Sequence, residues 1–161
     1  MASIFSKPAL PLSHLACLLA TWFGSGLLRP APGTWGSLAA LPFAWGIAYF
    51  AGPIALAVAT GAVFALGCWG AGVYERASGG KDPGVVVIDE VAGQWLVLIA
   101  APLDPWYYLA GFVLFRICDI LKPWPASWAD RNVTGGLGIM LDDILAALFG
   151  LAAIAAFRVW Y

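Results

Sequence analysis

The chain has 161 residues, 62% of them hydrophobic and 11% charged, with nine tryptophans and a formal net charge of -1. Its mean hydropathy is +0.87, more apolar surface than a soluble domain of this length can hide, so the composition points to a polytopic membrane protein. The lack of a basic excess excludes nucleic acid as a partner. Three widely spaced cysteines in apolar surroundings, Cys17, Cys68 and Cys118, suit buried thiols rather than a disulfide framework or a zinc site.

Proline, glycine and charge divide the chain into predicted helices at 10–28, 38–50, 54–74, 90–101, 106–120 and 137–160. The first follows Lys7 as a signal peptide's apolar core would, but it runs on through TWFGSGLL with no small-residue cleavage site. It is read as retained, either spanning the bilayer or lying in its interface. The helices 38–50 and 54–74 meet at Gly52-Pro53, and 90–101 meets 106–120 at Pro102-Leu103-Asp104-Pro105. Both junctions are tight and nearly uncharged, so each is expected to reverse the chain. A 13-residue helix rises only about 20 Å against a hydrocarbon core of about 30 Å, so some helices must be partial or tilted. No linker is long or polar enough to divide the chain. The expectation is one all-α domain over 1–161, a membrane bundle of about four to six helices, some of them short or partial.

If the tight turns reverse the chain, the polar loops 29–37, 75–89 and 120–136 emerge on one face. That face carries Arg29, Arg76, Lys81, Lys122 and Arg131, with Arg116 at its border, while only Lys7 and Arg158 lie near the termini. The positive-inside rule makes it cytoplasmic.

The residues able to do chemistry lie in those loops and at their borders. In RPAPGTWGSLAALP, Gly33 and Gly36 allow close backbone approach to a ligand, Thr34 and Ser37 offer hydroxyls, and Ser37 stands where an N-cap would. A helix start of this kind favours an anion, although a capped turn that binds nothing has the same sequence. Asp89 and Glu90 are adjacent hard-oxygen donors at the head of an apolar helix, suited to a divalent cation; a cap role explains one of them but not both. Gln94, one turn on, is placed to orient Glu90. Arg116, Asp119 and Lys122 recur every three residues on one helix face, as an ion-pair row would or as part of a site. Asp130 and Arg131 read as a solvated loop or a mutual pair and stand as secondary candidates, and Lys81 and Asp82 read as solvated. Asp142 and Asp143 lie within an apolar helix where charge is costly and usually functional. They point about 100° apart, so they cannot face one spot equally.

Asp89, Glu90, Asp119, Asp142 and Asp143, with cations and hydroxyls nearby, form the inventory for Mg²⁺-assisted phosphoryl chemistry. A single histidine, His14, excludes phosphatases that need two. There is no Cys-x5-Arg, DxDxT or GxxxxGK[ST] motif to support cysteinyl, aspartyl-phosphate-type or nucleotide chemistry.

Four stretches, PGTWGSLAALP, IDEVAGQW, FRICDILKPWPASWADRN and GGLGIMLDDILAAL, resemble in their combination and order the bacterial phosphatidylglycerophosphatase A family. The resemblance covers most of the chain from about Phe23 onward. It implies a Mg²⁺-dependent inner-membrane enzyme that hydrolyses phosphatidylglycerophosphate to phosphatidylglycerol and phosphate. Soluble relatives imply an all-helical fold with the polar motifs in one pocket. The metal role is carried onto Asp89, Glu90, Asp119, Asp142 and Asp143, and phosphate contact onto Thr34, Ser37, Arg116 and Lys122. Asp89, Asp119, Asp142 and Lys122 are the expected catalytic residues. Water is the expected nucleophile, with a phosphorylated Asp89 as the alternative. Outside this class, a cation transporter would also place acids in membrane helices, but these acids group on one face rather than forming a path. A noncatalytic lipid-binding subunit would not need so many metal-type ligands. The DGxxAR motif of CDP-alcohol phosphotransferases is not present.

Overall fold

The computed structural model describes residues 4–160, so the outermost residues of the expected 1–161 domain lie outside it. Among the described residues there are six α-helices and one 3-10 turn, with a single isolated bridge between Phe5 and Leu28 as the only extended pairing. The helices are α1 (Leu15–Ala20), α2 (Pro32–Ser78), α3 (Ile88–Leu98), α4 (Pro105–Leu121), α5 (Ala126–Asn132) and α6 (Gly135–Trp160). The all-helical expectation holds.

The 47-residue α2 is broken at Gly52, whose φ of 82° and ψ of 173° are not helical. Gly52 supplies a backbone conformation that a side chain would disfavour, and Pro53 cannot continue the hydrogen-bond ladder. Gly36 packs on Val87 while Gly67 lies against Ile88, the very next residue. A straight helix would hold Gly36 and Gly67 about 45 Å apart, so the chain must fold back between them. The predicted hairpin is therefore present, with arms 32–51 and 53–78. Its first arm begins at Pro32 rather than at 38, which lengthens it to about 30 Å and removes the shortfall expected for a 13-residue helix.

The second predicted reversal also forms. Asp104 caps α4, its Oδ1 accepting from the Trp106 and Tyr107 amides at 2.8 and 3.2 Å, and Pro105 takes the first helical position, where no amide proton is needed. At its other end, α4 stops at Lys122, which adopts a left-handed φ of 43°, and Pro123 follows.

The segment 10–28 corrects the expectation of one helix. It forms only the six-residue α1 and the 3-10 turn Ser25–Leu27, so a rise of about 9 Å rules out a span. Both its flanks are tied to the end of the molecule that carries the polar loops. The Ala9 amide donates to the Tyr74 hydroxyl at 2.9 Å, and the Arg29 amide to the Ile4 carbonyl at 2.9 Å. The loop 120–136 also differs: it contains α5, a helix of seven residues that follows Pro123 and Pro125.

The core lies along the arms of α2, α3 and α6. Small residues on the first arm, Ala40 and Ala44, let α3 approach closely, and the buried Trp95 indole donates to the Ala40 carbonyl at 2.9 Å. Two helices, Pro32–Ser78 and Gly135–Trp160, are long and apolar enough to cross a membrane. Large apolar side chains remain exposed along the outside, among them Phe50, Ile54, Val58, Val113 and Phe157. The polar loops come together at one end, because Gly33 meets Glu90 and Arg116 there while Gly72 meets Gly136. Arg158 reaches the Ala100 carbonyl at the other end.

Candidate active site

Three helix ends converge at the polar end of the bundle. α3 starts at Ile88, so Asp89 and Glu90 occupy its first turn, where the unpaired amides of a helix start favour negative charge. Neither acid is the cap, which is Val87. α6 starts at Gly135 and brings Asp142 and Asp143 in about two turns later. α4 ends there with Arg116, Asp119 and Lys122.

One carboxylate oxygen each from Asp89, Glu90 and Asp143 lies within 4.8 Å of the others. Asp89 Oδ1, Glu90 Oε2 and Asp143 Oδ2 are buried and have no hydrogen-bond partner among the described residues. Buried carboxylate oxygens without partners are costly. A hard divalent cation offers such carboxylates a shared partner, and oxygen donors are the ligands that Mg²⁺ takes, so the residues fit such an ion. The other Glu90 oxygen meets Arg116 Nη1 at 3.5 Å, and Arg116 Nη1 lies 2.7 Å from Asp119 Oδ2. Arg116 Nε is buried and unpartnered.

The expected five-acid set therefore divides. Asp89, Glu90 and Asp143 converge, Asp119 is held by Arg116, and Asp142 is held by Lys122. The helical 100° between neighbours turns Asp143 inward to α3 and Asp142 toward the end of α4. Lys122 also lies 3.4 Å from Asp130 Oδ1. Burial alone would lower the Lys122 pKa, but the hydrogen bond and charge of Asp142, with Asp143 and Asp130 behind it, reverse this and hold it above the ordinary lysine range. Asp130 is thus neither solvated alone nor paired with Arg131. Its carboxylate joins Lys122, and Lys81 donates to its backbone carbonyl at 2.9 Å. α5 supplies this residue, a secondary candidate in the sequence.

The first polar loop needs two corrections. Ser37 is fully buried inside α2 and is not an N-cap; its hydroxyl donates to the Gly33 carbonyl at 2.8 Å, so its proton is unavailable to a phosphate. The helix begins six residues earlier because Pro32 is preset for a first turn. Gly33 and Gly36 do not leave room for a ligand. Their open faces are filled by Glu90 with Arg116 and by Val87 respectively. Thr34 remains half-buried beside Gly33, at the edge of the site. Gln94 is fully buried with both amide atoms unpartnered, so it does not hydrogen-bond to Glu90 as expected.

The profile of the family described as Phosphatidylglycerophosphatase A matches residues 18–158. The chain belongs to that family. Phosphatidylglycerophosphatase A of Escherichia coli (strain K12) is 43% identical over 145 residues, covering 89% of this chain and 83% of its own length. The Haemophilus influenzae protein of the same name is 42% identical over 144 residues, covering 89% and 88%. A Bacteroides thetaiotaomicron protein with the provisional name phosphatidylinositol-3-phosphatase is 42% identical over 154 residues, covering 91% and 95%. No solved structure matches the chain. All the acids and cations of the site fall inside the matched span.

Proposed function

We propose that this chain is a Mg²⁺-dependent phosphatidylglycerophosphatase of phospholipid biosynthesis, embedded in the bacterial inner membrane as a multi-pass bundle with its site facing the cytoplasm. Phosphatidylglycerophosphatase activity follows from membership of the family, whose two relatives above carry that name. The observation that carries the metal-dependent reading is the convergence of Asp89, Glu90 and Asp143, each with a buried, unpartnered carboxylate oxygen, beside Arg116 and Lys122. The cytoplasmic orientation rests on charge: Arg29, Arg76, Lys81, Lys122 and Arg131 all belong to the polar end, and Arg158 lies at the other.

Asp89, Glu90 and Asp143 would hold the cation, which supplies charge to offset the phosphate and lowers the pKa of water. The chain's own groups account for the rest. Glu90 and Asp119 both hold Arg116 at Nη1 and leave its buried Nε to donate to a phosphoryl oxygen. Lys122, kept protonated by Asp142, adds a second positive charge at the site. In hydrolysis, water adds to phosphorus, the bond to the lipid glycerol oxygen breaks, and that oxygen leaves as the alcohol of phosphatidylglycerol.

Phosphate release from the purified protein in detergent micelles tests this reading, with phosphatidylglycerophosphate as substrate and with Mg²⁺ or EDTA. Release should require Mg²⁺ and fall more than about 100-fold in Asp143→Asn, a larger loss than removal of a residue outside the ligand shell brings. Metal-independent release, or an Asp143→Asn variant of near-normal rate, refutes it. Phosphatidylinositol 3-phosphate belongs in the same assay because one relative carries that substrate in its name. A cation transporter is disfavoured because the acids gather at one end of the bundle.

A further inference from the structure

An open groove of about 420 Å³ lies in the seam between the first arm of α2 and α4, lined by Leu41, Pro42, Trp45, Pro105, Tyr108 and Leu109. Its walls are almost wholly apolar. The Tyr108 hydroxyl is buried in the protein rather than offered to the groove, and the Trp45 and Tyr108 rings meet edge to face at 4.8 Å between centroids.

The groove is continuous in register with the candidate site. On the first arm, Thr34, Leu38, Leu41 and Trp45 follow one another at steps of four, three and four residues, which places them on one helical stripe. On α4, Arg116, Phe112, Leu109 and Pro105 repeat the same steps in the opposite direction. Each stripe begins at a residue expected to touch phosphate and ends in the groove wall. Each spans eleven residue steps, about 16 Å of helix, close to half of a hydrocarbon core of about 30 Å. The seam thus descends from the polar end through about one leaflet.

We infer that this seam seats one fatty acyl chain of the lipid whose phosphate is bound at the acid cluster, an inference that rests on the lipid phosphatase reading. A second apolar groove, between α4 and α6 and lined by Val113, Leu114, Ile154 and Phe157 among others, has about the same size, 380 Å³, and serves as the internal control.

The test uses the full chain in phosphatidylcholine vesicles with phosphatidylglycerophosphate carrying a photoreactive diazirine midway along one acyl chain. Crosslinks mapped by mass spectrometry should fall at Leu41, Trp45 and Leu109 at least fivefold above those at Val113 and Phe157, and excess unlabelled substrate should suppress them. Leu109→Trp should lower the groove crosslinks and raise KM for the diacyl substrate about tenfold with kcat kept, while Val58→Trp, on the exposed second arm, changes neither. Equal labelling of both grooves means bulk lipid only and overturns the inference; so does labelling concentrated on a neighbouring protein chain. Phosphate release is read on the same samples. Release without groove labelling refutes the inference alone, whereas labelling without release refutes the phosphatase reading alone.

Discussion

Gly33→Ala separates the site from the fold. A Cβ on Gly33 would stand 2.9 Å from Glu90 Cδ and 3.0 Å from Arg116 Nη1, and nearer still to Glu90 Oε1, whereas ordinary contact begins at 3.4 Å. Both groups must therefore retreat by about half an ångström, the carboxylate oxygen by more. Gly33 is the second residue of α2 and is not in the left-handed region, so alanine suits the backbone and favours the helix by up to about 1 kcal/mol. The carboxylate and guanidinium that move are a metal-type ligand and its partner, and misplacement on the scale of 1 Å costs about 100-fold in rate, or about 2.7 kcal/mol of barrier. The expected result is a kcat/KM for Mg²⁺-dependent phosphate release about 100-fold below that of the parent, with a melting midpoint equal or higher. Shortening the displaced side chain with Glu90→Asp in the Gly33→Ala background should recover part of the rate. A folded Gly33→Ala protein within about twofold of the parent would refute the claim that this contact positions the site.

Lys122→Met leaves the buried Asp142 carboxylate without its cation and should cost about 3 kcal/mol in denaturant unfolding; the low end of the usual range applies because 28% of the Lys122 side chain is exposed. Adding Asp142→Asn should restore most of that stability, and a double variant as unstable as the single one would show that the pair is not the cause. Gln94→Met removes two buried amide atoms that have no partner, so the melting midpoint should hold or rise, since each unsatisfied group costs about 1–3 kcal/mol. A midpoint lowered by several degrees would mean that the amide is satisfied in the working protein, and a tenfold fall in phosphate release at unchanged stability would place it among the groups that serve the site.

Local pattern was enough for the helical class and for both reversals. Gly52-Pro53 and the Asp104-Pro105 cap work through backbone conformation and a side chain two or three residues away, and such short-range chemistry is written in adjacent letters. It was not enough for the first helix, where TWFGSGLL looked apolar and continuous; the break there comes with left-handed Trp22 and Phe23 and with ties to Tyr74 and Ile4 far along the chain or across the turn. α5 was hidden because a helix of seven residues has too few turns to display a period.

The same division runs through the site. Composition and spacing alone determined which residue types were too expensive to be idle: acids in apolar helices, at the borders of loops that two tight turns must bring to one end. Only the tertiary structure decided what each acid does, because the angle between Asp142 and Asp143 acquires meaning only once α3 lies beside one and Lys122 beside the other. Ser37 shows the converse. Its letters read as a cap, but Pro32 starts the helix earlier and turns the hydroxyl back to Gly33. Charge is costly in an apolar setting wherever it sits, so its presence is legible in one dimension; its partner is chosen by packing, which exists only in three.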